Sequence, residues 1–359
     1  MIQGVKEIKS VELHSVTKKF GTFTAINGID INIPSGEFCT LLGPSGSGKT
    51  TLLKIIAGYE APTEGLVKIS GKNVNDVSVA KRNIGMVFQN YALFPHMTVA
   101  SNIAFPLEMR RHPRSEIAER LDTTLKLVDL VNLGTRYPRE LSGGQQQRVA
   151  VARALIFEPD ILLMDEPLGA LDKNLRQAMQ FELKKLHQRL GLTIIYVTHD
   201  QEEALFLSDR IIVFDKGTVA QEASPEELYN APISEFVANF LGECNLLPIK
   251  TLKDYDHPKI RLQTGVVITL NFPKPEKPLK TIGIRPEKIM LDQESKDCEN
   301  QFNATILDVF FLGQGYKIKV YAEEIQWTIF APNRLKLPEI RKGMGLKIGF
   351  NSEDLILMS

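Results

Sequence analysis

The chain has 359 residues, 43% of them apolar, with 43 Lys and Arg against 43 Asp and Glu. The length allows two or three domains and a sizeable core, and zero net charge argues against a general nucleic-acid binder, which carries a basic excess. Cys39, Cys244 and Cys298 form no CxxC pair, which speaks against a zinc site or a disulfide framework. The N-terminal MIQGVKEIKSVEL is charged where a signal peptide needs an apolar stretch, and no run approaches the ~18 apolar residues of a membrane span. The chain reads as soluble, docking on other chains if it serves a membrane.

In chain order, Glu37 to Leu42 reads as a buried strand, with Cys39 in its core. A glycine-rich loop and a helix from Thr50 to Ala57 follow, ended by Gly58. Asn83 to Phe88 is a strand. Ser115 to Leu130 has helical periodicity, with Ile117, Leu121, Leu125 and Val128 on one side. Gly143 to Phe157 is a helix and Ile161 to Met164 a wholly apolar strand. Leu175, Met179, Leu183, Leu186 and Leu190 recur at helical spacing, with Gly191 at the helix end. Leu192 to Val197 is a β-branched strand, Arg210 to Val219 a hairpin turning at Lys216-Gly217, and Ser224-Pro225-Glu226-Glu227 a helix start. Strands separated by helices imply an α/β fold with a mostly parallel sheet covered on both faces, carrying a helical insert at about 90–158. After Gly242 the short runs Val266–Leu270, Thr281–Ile284, Ala304–Val309, Tyr316–Val320, Ile325–Ile329 and Leu346–Phe350 predict a small all-β domain. Phe272 to Pro278 is proline-rich and reads as an exposed loop.

Gly43-Pro44-Ser45-Gly46-Ser47-Gly48-Lys49-Thr50 fits GxxxxGK[ST], with an apolar strand before it and a helix after it. Glycines let backbone N–H groups converge on phosphate oxygens, and the helix N-terminus favours an anion. Lys49 is expected at the β- and γ-phosphates and Thr50 at Mg²⁺, with Thr51 beside them. Ile161 to Met164 delivers Asp165 toward the metal, and Glu166 is placed to polarise an attacking water. Ser142 with Gln145 three residues later is a capping box.

Leu141-Ser142-Gly143-Gly144-Gln145 also matches the signature of the ABC ATPases, and the chain resembles that family from about Val11 to Leu241. Its features stand in family order: the lysine loop, Gln89, the signature, Asp165-Glu166, Leu168-Gly169-Ala170-Leu171-Asp172 and His199. The resemblance implies a P-loop NTPase cassette at 1–241 that binds ATP and Mg²⁺. Thr50, Asp165 and Gln89 would hold the metal; Lys49, Glu166, His199 and Gln89 would carry catalysis. Phe20 would stack on adenine, and Asp172 would steer dimer contacts. Ser142 to Gln145 would reach the γ-phosphate on a partner's lysine loop, in a head-to-tail homodimer. Ile284-Arg285-Pro286-Glu287, Asn303 to Gly313 and Phe240 to Leu247 resemble the TOBE (OB-like) domain of importer ATPases, at 242–359. That implies two transmembrane permeases, an indirect link to a solute-binding protein, no nucleic acid, and a peripheral place on the cytoplasmic face of the inner membrane. Gly242-Glu243-Cys244-Asn245 leans toward polyamine cargo; phosphonate, ferric iron and sugar stay open. A soluble non-transport ABC ATPase is the second reading, and a regulatory module with an inert ATP site the third.

Overall fold

The computed structural model describes residues 9–253, 259–270, 278–333 and 340–358. The charged N-terminal stretch before Lys9, and the proline-rich segment apart from Pro278, lie outside them. The chain divides into two compact units, Met1–Pro225 and Glu226–Ser359.

The first unit runs β1 (Val11–Phe20), β2 (Phe23–Ile33), β3 (Phe38–Leu42), α1 (Lys49–Ala57), β4 (Glu64–Ile69), β5 (Lys72–Asn73), β6 (Ile84–Val87), α2 (Val99–Met109), α3 (Arg114–Leu127), α4 (Gly143–Leu155), β7 (Ile161–Asp165), α5 (Lys173–Leu190), β8 (Thr193–Thr198), α6 (Gln201–Leu207), β9 (Arg210–Asp215) and β10 (Thr218–Ala223). Among the described residues these strands make a six-stranded sheet, β10-β9-β3-β8-β7-β6, and a four-stranded sheet, β2-β1-β4-β5. In the larger sheet every pairing is parallel except the β9–β10 hairpin. That hairpin turns on Lys216 (φ 45°) and Gly217 (φ 80°), the left-handed pair that a two-residue turn needs.

The central strands are apolar throughout because both faces are covered. Ile161 and Leu163 of β7 pack toward α1 and the four-stranded sheet, with Cys39, Leu41, Ile195 and Val197. Leu162 and Met164 pack the other way with Phe38, Ile194 and Tyr196, against Ala150 and Val151 of α4 and Met179 and Leu183 of α5. The insert has its own cluster: Val99, Ile103 and Leu107 of α2 meet Val149 and Ala152 of α4, with Ile117, Leu121 and Leu125 of α3 alongside. Gly58 (φ 89°) and Gly191 (φ 62°) end α1 and α5 in the left-handed conformation. The four-stranded antiparallel sheet was not foreseen. The β1 ladder is broken by register shifts after Leu13, Val16 and Lys18, which blur the alternation that marks a half-buried strand.

The second unit holds α7 (Pro225–Asn230), α8 (Glu235–Phe240), β11 (Asn245–Lys253), β12 (Lys259–Leu262), β13 (Val267–Thr269), β14 (Thr281–Ile284), β15 (Met290–Leu291), β16 (Asn300–Phe311), β17 (Gly315–Ala322), β18 (Ile325–Pro332), β19 (Gly345–Phe350) and β20 (Leu355–Met358). Among the described residues these strands make two five-stranded antiparallel sheets, β13-β12-β11-β14-β20 and β15-β19-β16-β17-β18. They share a core around Trp327, Phe350 and Ile284. Asn245 is buried between them: its Nδ2 donates to the carbonyls of Ile284 and Thr328, and its Oδ1 accepts from the Thr328 N–H. Asn245 is thus a bracket that joins the two sheets.

The division at Pro225 differs from the boundary expected at Leu241. Arg285, which is buried, accounts for it. Its guanidinium donates to the carbonyls of Tyr229, Ala238, Gly242 and Glu243 and stacks over the Tyr229 ring at 4.1 Å. These bonds fasten α7 and α8 to the β unit.

Candidate active site

The lysine loop spans Gly43 to Gly48, between β3 and α1. Gly48 heads α1 at φ 104° with no side-chain cap, so the first N–H groups of the helix are left to whatever occupies the loop. A Cβ at Gly48 would lie 2.6 Å from the carbonyl oxygen of Ala25, and one at Gly43 2.5 Å from that of Phe214. Lys49 is buried. Its Nζ donates to the carbonyls of Gly43 (2.8 Å) and Pro44 (2.9 Å) and to Ser47 Oγ (3.3 Å). Burial pushes Lys49 below the ordinary lysine range, against the pull of the Glu166 and Asp165 carboxylates.

The end of β7 meets this loop. Thr50 Oγ1 donates to Asp165 Oδ1 at 3.0 Å. Burial raises the Asp165 pKa, and the Thr50 hydrogen bond opposes it. Glu166 takes a left-handed conformation (φ 45°), with its N–H on the Val197 carbonyl. Two residues from distant parts of the sequence converge on its carboxylate. Gln89 Nε2 donates to Oε2 at 3.2 Å, and His199 Nδ1 lies 3.2 Å from Oε1. Lys49, Thr50, Asp165, Glu166, Gln89 and His199 therefore form one constellation, with two hard oxygen donors and a carboxylate oriented from both sides.

The signature segment is arranged locally. Ser142 Oγ accepts from the Gln145 N–H (3.4 Å) and Gln145 Oε1 from the Ser142 N–H (3.0 Å), so the capping box is complete. Gly143 and Gly144 pack close to Leu171 and Leu175. Phe20, half-exposed, ends β1 under Lys18 Nζ, 4.9 Å from its centroid. Asp172 caps α5 through the Leu175 N–H.

The profile of the ABC transporter family matches residues 26–169, and that of the TOBE domain residues 282–358. The Fe(3+) ions import ATP-binding protein FbpC of Brucella abortus (strain 2308) is 43% identical over 323 residues, 90% of this chain and 91% of that protein. The chain belongs to the ABC transporter family. Its place is among the importer-type ATPases that carry a TOBE domain. The spermidine/putrescine import ATP-binding protein PotA of Thermobifida fusca (strain YX) is 46% identical over 314 residues, 85% of this chain and 82% of that protein. Among solved structures, the dimeric ABC transporter cassette MJ0796 superposes with a TM-score of 0.54 at 39% identity, covering 60% of this chain and 98% of that one.

The ABC cassette has supports that the sequence reading passed over. Gly217 in the β9–β10 turn donates its N–H to the Ser47 carbonyl (3.1 Å) and accepts from the Asn27 N–H (2.9 Å), bracing the lysine loop from the sheet edge. Behind His199, the buried carboxylate of Glu203 accepts from Tyr196 Oη (2.6 Å) and Thr198 Oγ1 (2.9 Å), while Asp200 caps α6 through the Glu203 N–H. Arg176 pairs with Asp200 and Glu203. Asp200-Gln201-Glu202-Glu203 carries a helix-start signal that the sequence reading left unused; the Tyr196 contact had no local signal. In the loop after Gln89, the Arg153 guanidinium donates to the carbonyls of Tyr91 and Ala92, both at 2.7 Å. Asn102 ties down Phe94, Met97 and Thr98.

Proposed function

We propose that this ATPase is the motor of a binding-protein-dependent importer and works as a head-to-tail homodimer that closes on two ATP molecules. The observation that carries the reading is the meeting of Gln89 and His199 on Glu166, beside the Thr50–Asp165 pair. Lys49 exchanges its loop carbonyls for phosphate oxygens, and the uncapped N–H groups of α1 hold the same phosphates. Thr50 and Asp165 offer hard oxygen donors suited to Mg²⁺, with Gln89 reaching in from the loop after β6. Held there, Mg²⁺ would supply charge neutralisation for the triphosphate.

Glu166 orients the attacking water and takes up its proton; His199 holds the Glu166 carboxylate and reaches the γ-phosphate. Phe20 stacks on adenine. The capped start of α4 in the second copy, Ser142 to Gln145, contributes N–H groups to the γ-phosphate, and Asp172 lies near the same interface. Loop 90–98, stiffened by Arg153 and Asn102, relays closure from Gln89 to two permease subunits, and the chain works on the cytoplasmic face of the inner membrane. Polyamine is the proposed cargo and ferric iron its alternative, since relatives of both names resemble the chain; phosphonate and sugar follow. Uptake of labelled putrescine against ferric iron, in cells with and without the gene, separates them.

Glu166→Gln is the decisive variant. It is expected to bind ATP, to hydrolyse it about a hundredfold more slowly or worse, and to accumulate as an ATP-bound dimer in size-exclusion chromatography. Near-normal turnover would refute the assigned role. Recovery of the chain without hydrophobic subunits under mild detergent would favour a soluble ABC ATPase instead.

A further inference from the structure

Glu166 and His199 follow the ends of two neighbouring parallel strands, β7 and β8, and their side chains touch at 3.2 Å. His199 is exposed, and the residues on either side of it are tethered. Thr198 Oγ1 donates to the buried Glu203 carboxylate (2.9 Å) and accepts from the Asp200 N–H (3.0 Å). After Glu166 the chain turns in short steps, with the Gly169 N–H on the Glu166 carbonyl (3.2 Å) and the Leu171 N–H on the Leu168 carbonyl (3.1 Å). Arg176 joins these two segments. It stands one turn into α5, its N–H on the Asp172 carbonyl (2.8 Å). Its Nη2 donates to the Leu171 carbonyl at 3.1 Å and its Nη1 to Asp200 Oδ2 at 3.0 Å. Charge balance alone does not explain this choice of partners. The buried carboxylate that calls for a cation is Glu203. Arg176 Nε lies 3.6 Å from it, beyond hydrogen-bond reach, and Glu203 is served by Tyr196 and Thr198 instead.

We propose that Arg176 is a positioning residue for hydrolysis: by holding the Leu171 carbonyl and Asp200 on one guanidinium, it sets the separation of Glu166 and His199. The inference rests on the reading that Glu166 and His199 serve hydrolysis. A guanidinium is a rigid planar fork, so it fixes the angle between its two partners as well as their distance. Leu171 belongs to the segment that leaves Glu166, and Asp200 is the residue after His199. The fork therefore links the same two segments that the Glu166–His199 contact links, and the grip of His199 on the Glu166 carboxylate depends on the loop 168–172. Misplacing a reacting group by about 1 Å costs about a hundredfold in rate, so a partly loosened fork is expected to cost about tenfold.

The test uses the full-length chain labelled with ring-¹³C histidine, the His199 resonance being assigned with His199→Gln. Glu166→Gln is expected to shift that resonance, because the two side chains touch; no shift overturns the proposal at once. Arg176→Lys keeps a cation beside Asp200 but cannot donate to Leu171 and Asp200 together. In its background the shift caused by Glu166→Gln should shrink to about half or less, as a contact maintained by Arg176 requires. Phosphate release should show kcat down about tenfold with KM for ATP within about twofold. An undiminished shift overturns the proposal whatever the rate does. A diminished shift at an unchanged rate upholds it and strikes instead the part given to His199 in hydrolysis. Arg176→Met combined with Glu203→Gln removes the buried carboxylate together with the cation, and it decides the matter if Arg176→Lys does not fold. There the shift should stay small; a shift of wild-type size would mean that Arg176 only balances charge, and overturns the proposal.

Discussion

Two helix starts of the cassette are built in opposite ways. α1 begins at Gly48, without a side-chain cap, and is ordered by its surroundings: the Ala25 carbonyl presses on Gly48, and Gly217 holds Ser47. α4 begins at an exposed Ser142 and is ordered by its own side chains, with Ser142 and Gln145 each satisfying the other's N–H. On the proposed reading both starts present N–H groups to an anion, and the contrast is in how each is held. Packing from outside keeps every donor of α1 available within one chain. A self-made cap holds the exposed edge of the α4 turn, while Leu171 and Leu175 pack against its two glycines.

Gly48→Ala should break the first start hardest. Its left-handed φ and the 2.6 Å approach to Ala25 leave no place for a methyl group. A loss of about 2–4 kcal/mol in urea unfolding is expected, together with loss of ATP binding in a nucleotide titration. A chain that tolerates alanine there would show that packing does not set the loop. Ser142→Ala should cost less, about 1 kcal/mol, and Ser142→Asp should recover most of it by restoring a capping oxygen. Equal melting of all three would mean the α4 start is held by Leu171 and Leu175 rather than by its cap.

The smallest effect is on Asp165 and has the opposite sign. Burial raises its pKa, so the folded chain keeps a proton that the unfolded chain has released. Stability from this group is fully present below the ordinary aspartate pKa of about 3.9. It is lost as pH rises from there through the raised value. Asp165→Asn should remove that part of the pH dependence and melt about 2 °C higher at pH 7, read by scanning calorimetry, while hydrolysis is lost. A lower melting temperature would mean that the charge of Asp165 stabilises the loop through Lys49.

What the chain determined alone is what depends on near neighbours in sequence. Gly58 and Gly191 end helices because they are glycines just past an apolar period, Lys216-Gly217 turns a hairpin because both positions need a positive φ, and Ser142 caps the helix that Gln145 enters. The lysine loop belongs with these, since its spacing alone brings backbone donors together. Tertiary structure decided the rest, because those contacts join residues far apart in the chain. Thr50 meets Asp165 across 115 positions, and Gln89 meets Glu166 across 77; family order announced these meetings, while local patterns carried no sign of them. The antiparallel sheet of β1, the four carbonyls gathered by Arg285 and the Gly217 brace had no announcement at all. Each depends on which surfaces the folded chain brings together, and period, caps and turns do not encode that.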